Sequence, residues 1–242
     1  MRIQRHLVVS ATLALLSCIP DDTSKAGWGL FPGAVGSNDT GSSPGVLVVG
    51  DSLVFGVGVQ TVANTLRFFG GTDAVVAAAG GASMAHFNKE SLISAAGLST
   101  IQQYENFLGD IRVTVVALGS NDARIITGER GQMDGYTLEE FRGQAELAVS
   151  SGLSHSRCVV LVNVANHWLD AAAPDVIDAI NAVLGELGAG GPQVRTVDWN
   201  AFSAPHPEWF ASPTDIHHTD AGKQAYNGFI NDAVGAAFRS GC

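Results

Sequence analysis

Five short apolar runs, each ending near a small or polar residue, recur along this chain with helix-length stretches between them. They are "VLVVG" (46–50), "AVVAAA" (74–79), "VTVVALG" (113–119), "CVVLVNV" (158–164) and "VRTVDW" (194–199). The runs are close to continuously apolar, as strands buried on both faces are. Helical patterns occupy 61–69, 138–150 and 174–187, and a last one follows Thr219, a good N-cap with Asp220 in the first turn. Buried strands alternating with helices predict an α/β domain, a five-stranded parallel sheet with helices on both faces. Sheets of this kind bind ligands just beyond the carboxyl ends of their strands.

That rule selects a small set of residues. "GDSL" (50–53) follows the first run, "GGAS" (80–83) the second and "GSND" (119–122) the third, while "DIHH" (215–218) comes one loop after the fifth. A serine, two Gly-rich turns, an asparagine and an Asp/His cluster therefore share one rim. A hydroxyl nucleophile needs a base for its proton, and the tetrahedral intermediate it forms needs hydrogen-bond donors. Ser52 suits the nucleophile, His217 or His218 the base, and Asp215 the acid that orients it. The backbone N–H of Ser52, a glycine N–H from the second turn and the side-chain amide of Asn121 suit the oxyanion hole. Asp51 and Asp122 read as structural hydrogen-bonding groups at the strand ends.

These blocks resemble the SGNH, or GDSL-type, hydrolase family, whose Ser, Gly, Asn and His follow one another in this order. The resemblance spans 46–238, and "VVGDSLVFG" and "ALGSNDAR" carry it most specifically. It implies a flavodoxin-like three-layer α/β/α sandwich and a Ser-His(-Asp) acyl-enzyme mechanism that needs no cofactor. It also nominates Gly81 as the oxyanion glycine, with Gly80 second. The last third of the chain is similar to SGNH domains that accompany membrane acyltransferases of cell-surface glycans. An acylated glycan or other small ester is thus the implied substrate, O-acetyl the implied group. A non-catalytic glycan-binding module on the same fold is the alternative reading.

The resemblance gives two spacings for the base, and they conflict. An acid three residues before the histidine selects His218, counted from Asp215. A histidine two residues before the helix cap and five before a glycine selects His217, counted to Thr219 and Gly222. The cap belongs to a rigid helix and the acid to a looser loop, so His217 is expected to be the base and His218 the alternate. Consecutive side chains of an extended segment point to opposite sides, so only one of the two can face Ser52.

Net charge of −10 and the lack of any Lys/Arg run argue against nucleic acid as a partner. No HExxH or paired-cysteine spacing supports a metal site. Trp209 and Phe210 in "PEWF" suit core or loop packing, with a sugar platform as the other reading. His167 and Trp168, past the fourth run, are candidates to line the cleft.

The N-terminus has a different logic. Residues 1–18 run from "MRIQRH" through the apolar "LVVSATLALL" to "SC", the order of an export signal, and the apolar run is too short for a bilayer span. "LLSC" also resembles a lipobox with Cys18 as lipid anchor; plain cleavage nearby is the alternative. Residues 19–45, rich in Gly, Ser, Asp and Pro, read as a tether, and 46–242 as the hydrolase domain. Export would leave Cys158 and Cys242 as an oxidisable pair, either bridged or as a buried cysteine and a free thiol.

Overall fold

The computed structural model describes residues 34–38, 45–86, 110–128, 136–166 and 174–242. The export signal, Cys18, most of the tether, His167 and Trp168 lie outside the described residues.

Six strands form the main sheet: β1 (Ala34–Ser37), β2 (Gly45–Gly50), β3 (Asp73–Ala78), β4 (Ile111–Ala117), β5 (Cys158–Val162) and β6 (Val194–Val197). Their order is β1-β3-β2-β4-β5-β6, with β2 to β6 parallel and β1 antiparallel to β3. The five parallel strands are those expected, and they follow the flavodoxin-like 2-1-3-4-5 order. The sheet differs from expectation by one strand. Residues 34–37, assigned to the tether, form the antiparallel edge β1, so the folded domain begins upstream of residue 46. "AVGS" is a short segment among turn-forming residues, and its pairing with β3 makes it a strand.

Helices cover both faces. Leu47 and Val49 point into one core with Phe141 and Ala145 of α4 (Leu138–His155) and Ile177, Ile180 and Leu184 of α5 (Pro174–Ala189). Val46 and Val48 point into the other, with Val62 and Leu66 of α2 (Val59–Gly70) and Tyr226, Ile230 and Ala237 of α7 (Asp220–Arg239). Alternate residues of each central strand feed opposite cores, which is why their sequences stay apolar throughout. Burying a Val or Leu side chain contributes roughly 1.5–3 kcal/mol, so both cores weigh heavily in stability. Three short helices complete this part: α1 (Ser52–Val57), α3 (Ser120–Ile126) and α6 (Trp199–Ser203).

Strands β7 (Phe210–Ser212) and β8 (Asp215–His218) make a separate antiparallel hairpin, between α6 and α7 along the chain. Cys158, at the start of β5, and Cys242, just past α7, form a disulfide with a Cα–Cα distance of 5.6 Å. The bridge therefore lies at the end of the sheet opposite the rim.

Candidate active site

The rim is built by counting residues from one common level. Gly50 pairs with Ala78 on one side and with Ala117 on the other, so β2, β3 and β4 end side by side. Strand neighbours lie about 4.8 Å apart. Ser52, Gly81 and Asn121 follow these ends within a few residues and converge on the same region.

Ser52 opens α1, and Asp51 caps that helix by accepting from Leu53 N–H at 2.9 Å. Among the described residues neither the Ser52 hydroxyl nor its N–H makes a hydrogen bond, which leaves both available to a ligand. Gly81 has φ +81°, a conformation that side-chain-bearing residues rarely adopt, and it lets the chain reverse just past β3. Asn121 is buried in the first turn of α3, and its amide donates to Ala82 O at 2.9 Å. That bond ties the amide to the segment just past the glycine turn.

Two buried carboxylates brace these segments. Asp51 also accepts a short hydrogen bond from Ser120 Oγ. Burial pushes its carboxyl up to about 6, against the opposing effects of the Ser120 and Leu53 hydrogen bonds; Asp122 raises it further and His217 lowers it. Asp122 accepts from Met84 N–H and Ala85 N–H, both at 3.0 Å, and from Tyr136 Oη at 2.6 Å. Burial raises the Asp122 carboxyl too, and burial beside Asp122 raises the Tyr136 phenol. Both acids are structural hydrogen-bonding groups, as their positions suggested. The parts played by Ser120 and Tyr136 were not visible in the sequence: Tyr136 reaches Asp122 from the stretch before α4, and no local pattern marks it.

The histidines separate by strand alternation. Along β8, Asp215 and His217 face outward while Ile216 and His218 face inward. Asp215 Oδ1 accepts from the His217 backbone N–H at 2.9 Å and lies 2.6 Å from ring Nδ1. Burial opposes ionisation of Asp215, but the His217 backbone, the His217 ring and Arg124 outweigh it and hold the carboxyl below its usual value. His218 is 6% exposed and packs among Trp199, Phe210 and Tyr226. The acid thus meets the nearer histidine, in an i to i+2 geometry that neither spacing anticipated. No hydrogen bond joins Ser52 Oγ to His217, although α1 and β8 are in contact. Catalytic hydrogen bonds are often long before substrate binds.

The hairpin is locked to α7. Thr219 accepts from Gly222 N–H at 3.3 Å and donates from Oγ1 to Glu208 O at 3.0 Å, and its own N–H reaches Trp209 O at 2.9 Å. A Cβ on Gly222 would lie 2.1 Å from Trp209 O, so only glycine permits this approach. Trp209 stacks on His206, with ring centroids 3.9 Å apart, and lies nearly parallel to Trp199, the pattern of core and loop packing.

Among the described residues no group of three His, Cys, Asp or Glu could hold a metal. A groove of about 690 Å³ lies between α5 and β6, lined by Asn163, Asp178, Asn181, Arg195 and Asn200; none of the residues discussed above lines it.

No protein-family model and no curated protein matches the sequence. Solved structures do match. The C-terminal catalytic domain of Streptococcus pneumoniae peptidoglycan O-acetyltransferase A, carrying a methylsulfonyl adduct, is similar at 17% identity and TM-score 0.57, over 81% of this chain and 96% of that one. An acetyl xylan esterase is similar at 15% identity and TM-score 0.58, over 78% and 99%. A GDSL-like lipase from Bacteroides thetaiotaomicron is similar at 16% identity and TM-score 0.57, over 80% and 88%.

Proposed function

We propose that this chain, which has the fold of the SGNH/GDSL hydrolases, is an exported serine esterase that cleaves or transfers a small acyl group, O-acetyl on a glycan in first place. The carrying observation is the common level of Gly50, Ala78 and Ala117, which sets Ser52, the Gly81 turn and Asn121 side by side. A paired acid and histidine stand on β8, against the helix that Ser52 opens. The named activities of the similar structures, acetyl xylan esterase and peptidoglycan O-acetyltransferase, support an acyl ester as substrate.

In this mechanism Ser52 Oγ attacks the acyl carbonyl as His217 Nε2 takes its proton. Asp215, on the opposite ring nitrogen, fixes the tautomer and stabilises the imidazolium. The N–H groups of Ser52 and Gly81 and the Asn121 amide receive the oxyanion. Collapse breaks the ester C–O bond, and His217 returns the proton to the departing alcohol. Water or a sugar hydroxyl, deprotonated by His217, then attacks the acyl-enzyme and restores Ser52.

Export rests on the charged-then-apolar N-terminus, and the Cys158–Cys242 disulfide supports it because such bridges persist in oxidising compartments. Lipidation of Cys18 belongs to the same proposal. The test is turnover of p-nitrophenyl acetate by the purified protein and by Ser52→Ala. Loss in the variant is expected, and equal rates would refute the mechanism. Hydrolase and transferase separate by product analysis with an acetylated glycan and a competing sugar acceptor.

A further inference from the structure

We infer that Asp51 is a positioning residue for the oxyanion hole, its buried carboxylate joining the backbone that presents the Ser52 N–H to the helix that presents the Asn121 amide. This rests on the esterase reading above and adds a residue to it.

The two carboxylate oxygens are divided between two elements. Oδ1 receives the N–H of Leu53, the residue after Ser52, at 2.9 Å. Oδ2 receives the hydroxyl of Ser120, the residue before Asn121. The acid therefore grips one chain just beyond one donor and the other chain just short of the second donor. Asp51 is 1% exposed and Ser120 2%, so water does not compete for the link.

Capping alone does not account for an acid here. Serine, threonine or asparagine caps a helix as well as aspartate does. A buried carboxylate also costs free energy unless it is paired and hydrogen-bonded. The titratable groups that act on Asp51 or feel it are Asp122 from α3, His217 from β8 and Tyr226 from α7. Among the described residues no Lys or Arg is one of them. What the acid supplies is a second acceptor oxygen, with the geometry to hold Ser120 while the first holds Leu53. An oxyanion hole depends on preorganised donors, since a misplacement of about 1 Å can cost ~10²-fold in rate.

Asp122 extends the same logic. From the other side of Asn121 it holds Met84 N–H and Ala85 N–H, just past the Gly81 turn. Asn121 thus sits between two acids that tie its helix to the other two donor segments.

The experiment measures kcat and KM on p-nitrophenyl acetate for Ser120→Ala and Asp51→Asn, each alone and combined with Asn121→Ala. Ser120→Ala is expected to lower kcat by about tenfold or more, with KM within about twofold, the pattern of an interaction felt in the transition state. In the Asn121→Ala background the same change is expected to cost less than about twofold, because no amide remains to be positioned. Ser120→Thr, which keeps the hydroxyl, is expected to recover most of the loss. Equal factors in both backgrounds, or a Ser120→Ala enzyme within twofold of the parent, would overturn the inference. Ser120→Ala decides the matter even if Asp51→Asn fails to fold. Should Ser52→Ala turn over like the parent, the esterase reading falls and takes this inference with it. Should Ser52→Ala be dead and Asn121→Ala impaired while Ser120→Ala is unaffected, only the Asp51 link is wrong.

Discussion

Asp215 and His217 share the outward face of β8, and one carboxylate oxygen meets both the ring Nδ1 and the backbone N–H of His217, at 2.6 and 2.9 Å. The residue between them turns inward, and so does His218. A two-residue spacing is natural in a strand, where side chains alternate, whereas a three-residue spacing would put acid and base on opposite faces.

The first prediction follows from that face. His217→Ala is expected to lower kcat by ~10²–10⁴-fold, the usual contribution of a positioned base. His218→Ala removes a buried ring from the Trp199–Phe210–Tyr226 cluster, so its expected effect is a lower melting temperature with kcat largely retained. Kinetics and thermal unfolding on both variants decide it; a dead His218→Ala that folds normally would transfer the role. Asp215→Asn then grades the acid, a severe loss marking a triad and a mild one a dyad.

Asn121→Ala is expected to lower kcat by ~10²–10³-fold, the typical cost of one oxyanion donor. A loss below about threefold in steady-state assays would remove Asn121 from that role. The variant also loses its bond to Ala82 O, so unfolding in urea is the necessary control.

Asp51 predicts a pH dependence of stability. Its folded carboxyl stands at about 6, above the ordinary 3.8, so the folded state binds its proton more tightly than the unfolded chain does. The resulting stabilisation is present below about pH 4 and is lost as pH rises through about 6. Relative to Asp51→Asn, the parent should lose up to about 3 kcal/mol between pH 4 and pH 7, from a shift of roughly two units at 1.36 kcal/mol each. Denaturant unfolding of the pair across this range reads the gap directly, and a constant gap would show a carboxyl that titrates as it does in water.

The disulfide closes a loop with a sequence separation of 84 residues. Its removal by Cys158→Ser with Cys242→Ser is expected to destabilise by about 4–5 kcal/mol in the chain-entropy model. The bridge is at the end of the sheet away from Ser52, so the folded fraction should keep its kcat. An active-site titration normalises the rates, and a fall in kcat per titrated site would contradict this separation.

Gly222→Ala places a methyl against the Trp209 carbonyl. The helix or the hairpin must shift, and the hairpin carries Asp215 and His217. Reduced stability together with reduced kcat is expected, in contrast to Gly228→Ala on the same helix, where a Cβ meets nothing within 4 Å. Equal behaviour of the two variants would show that the contact does not hold the hairpin.

Much of this was legible in the sequence. The five parallel strands agree with their expected positions to within a few residues; β6 is half-buried beyond Val194, while for β2 to β5 two-sided burial writes a long apolar signal. The four long helices do the same through their periodicity. Shorter elements escaped. Helix α1 has only six residues, Gly56 among them, and its cap on Asp51 is a tertiary arrangement more than a pattern. Strand β1 exists through its partner. The hairpin read as an extended loop, so the opposite directions of His217 and His218 were legible while the pairing with β7 was not. Tyr136 and Ser120 touch the site's acids across distances in sequence that no local rule spans.

Because β2, β3 and β4 end level, the place of each proposed donor is a matter of residue number: Ser52 is two past Gly50, Gly81 three past Ala78 and Asn121 four past Ala117. An architecture measured in this way forgives changes of letter far more readily than changes of length. Exchanging one apolar strand residue for another of similar volume typically costs under about 1.5 kcal/mol. Inserting one residue ahead of the rim would advance a donor by about 3.3 Å and turn it to the other face. Chains can therefore drift to less than a fifth identity and keep this fold, as the structures similar to this one do. Alignments that follow gaps near the three strand ends will trace this fold further than alignments that weigh identities.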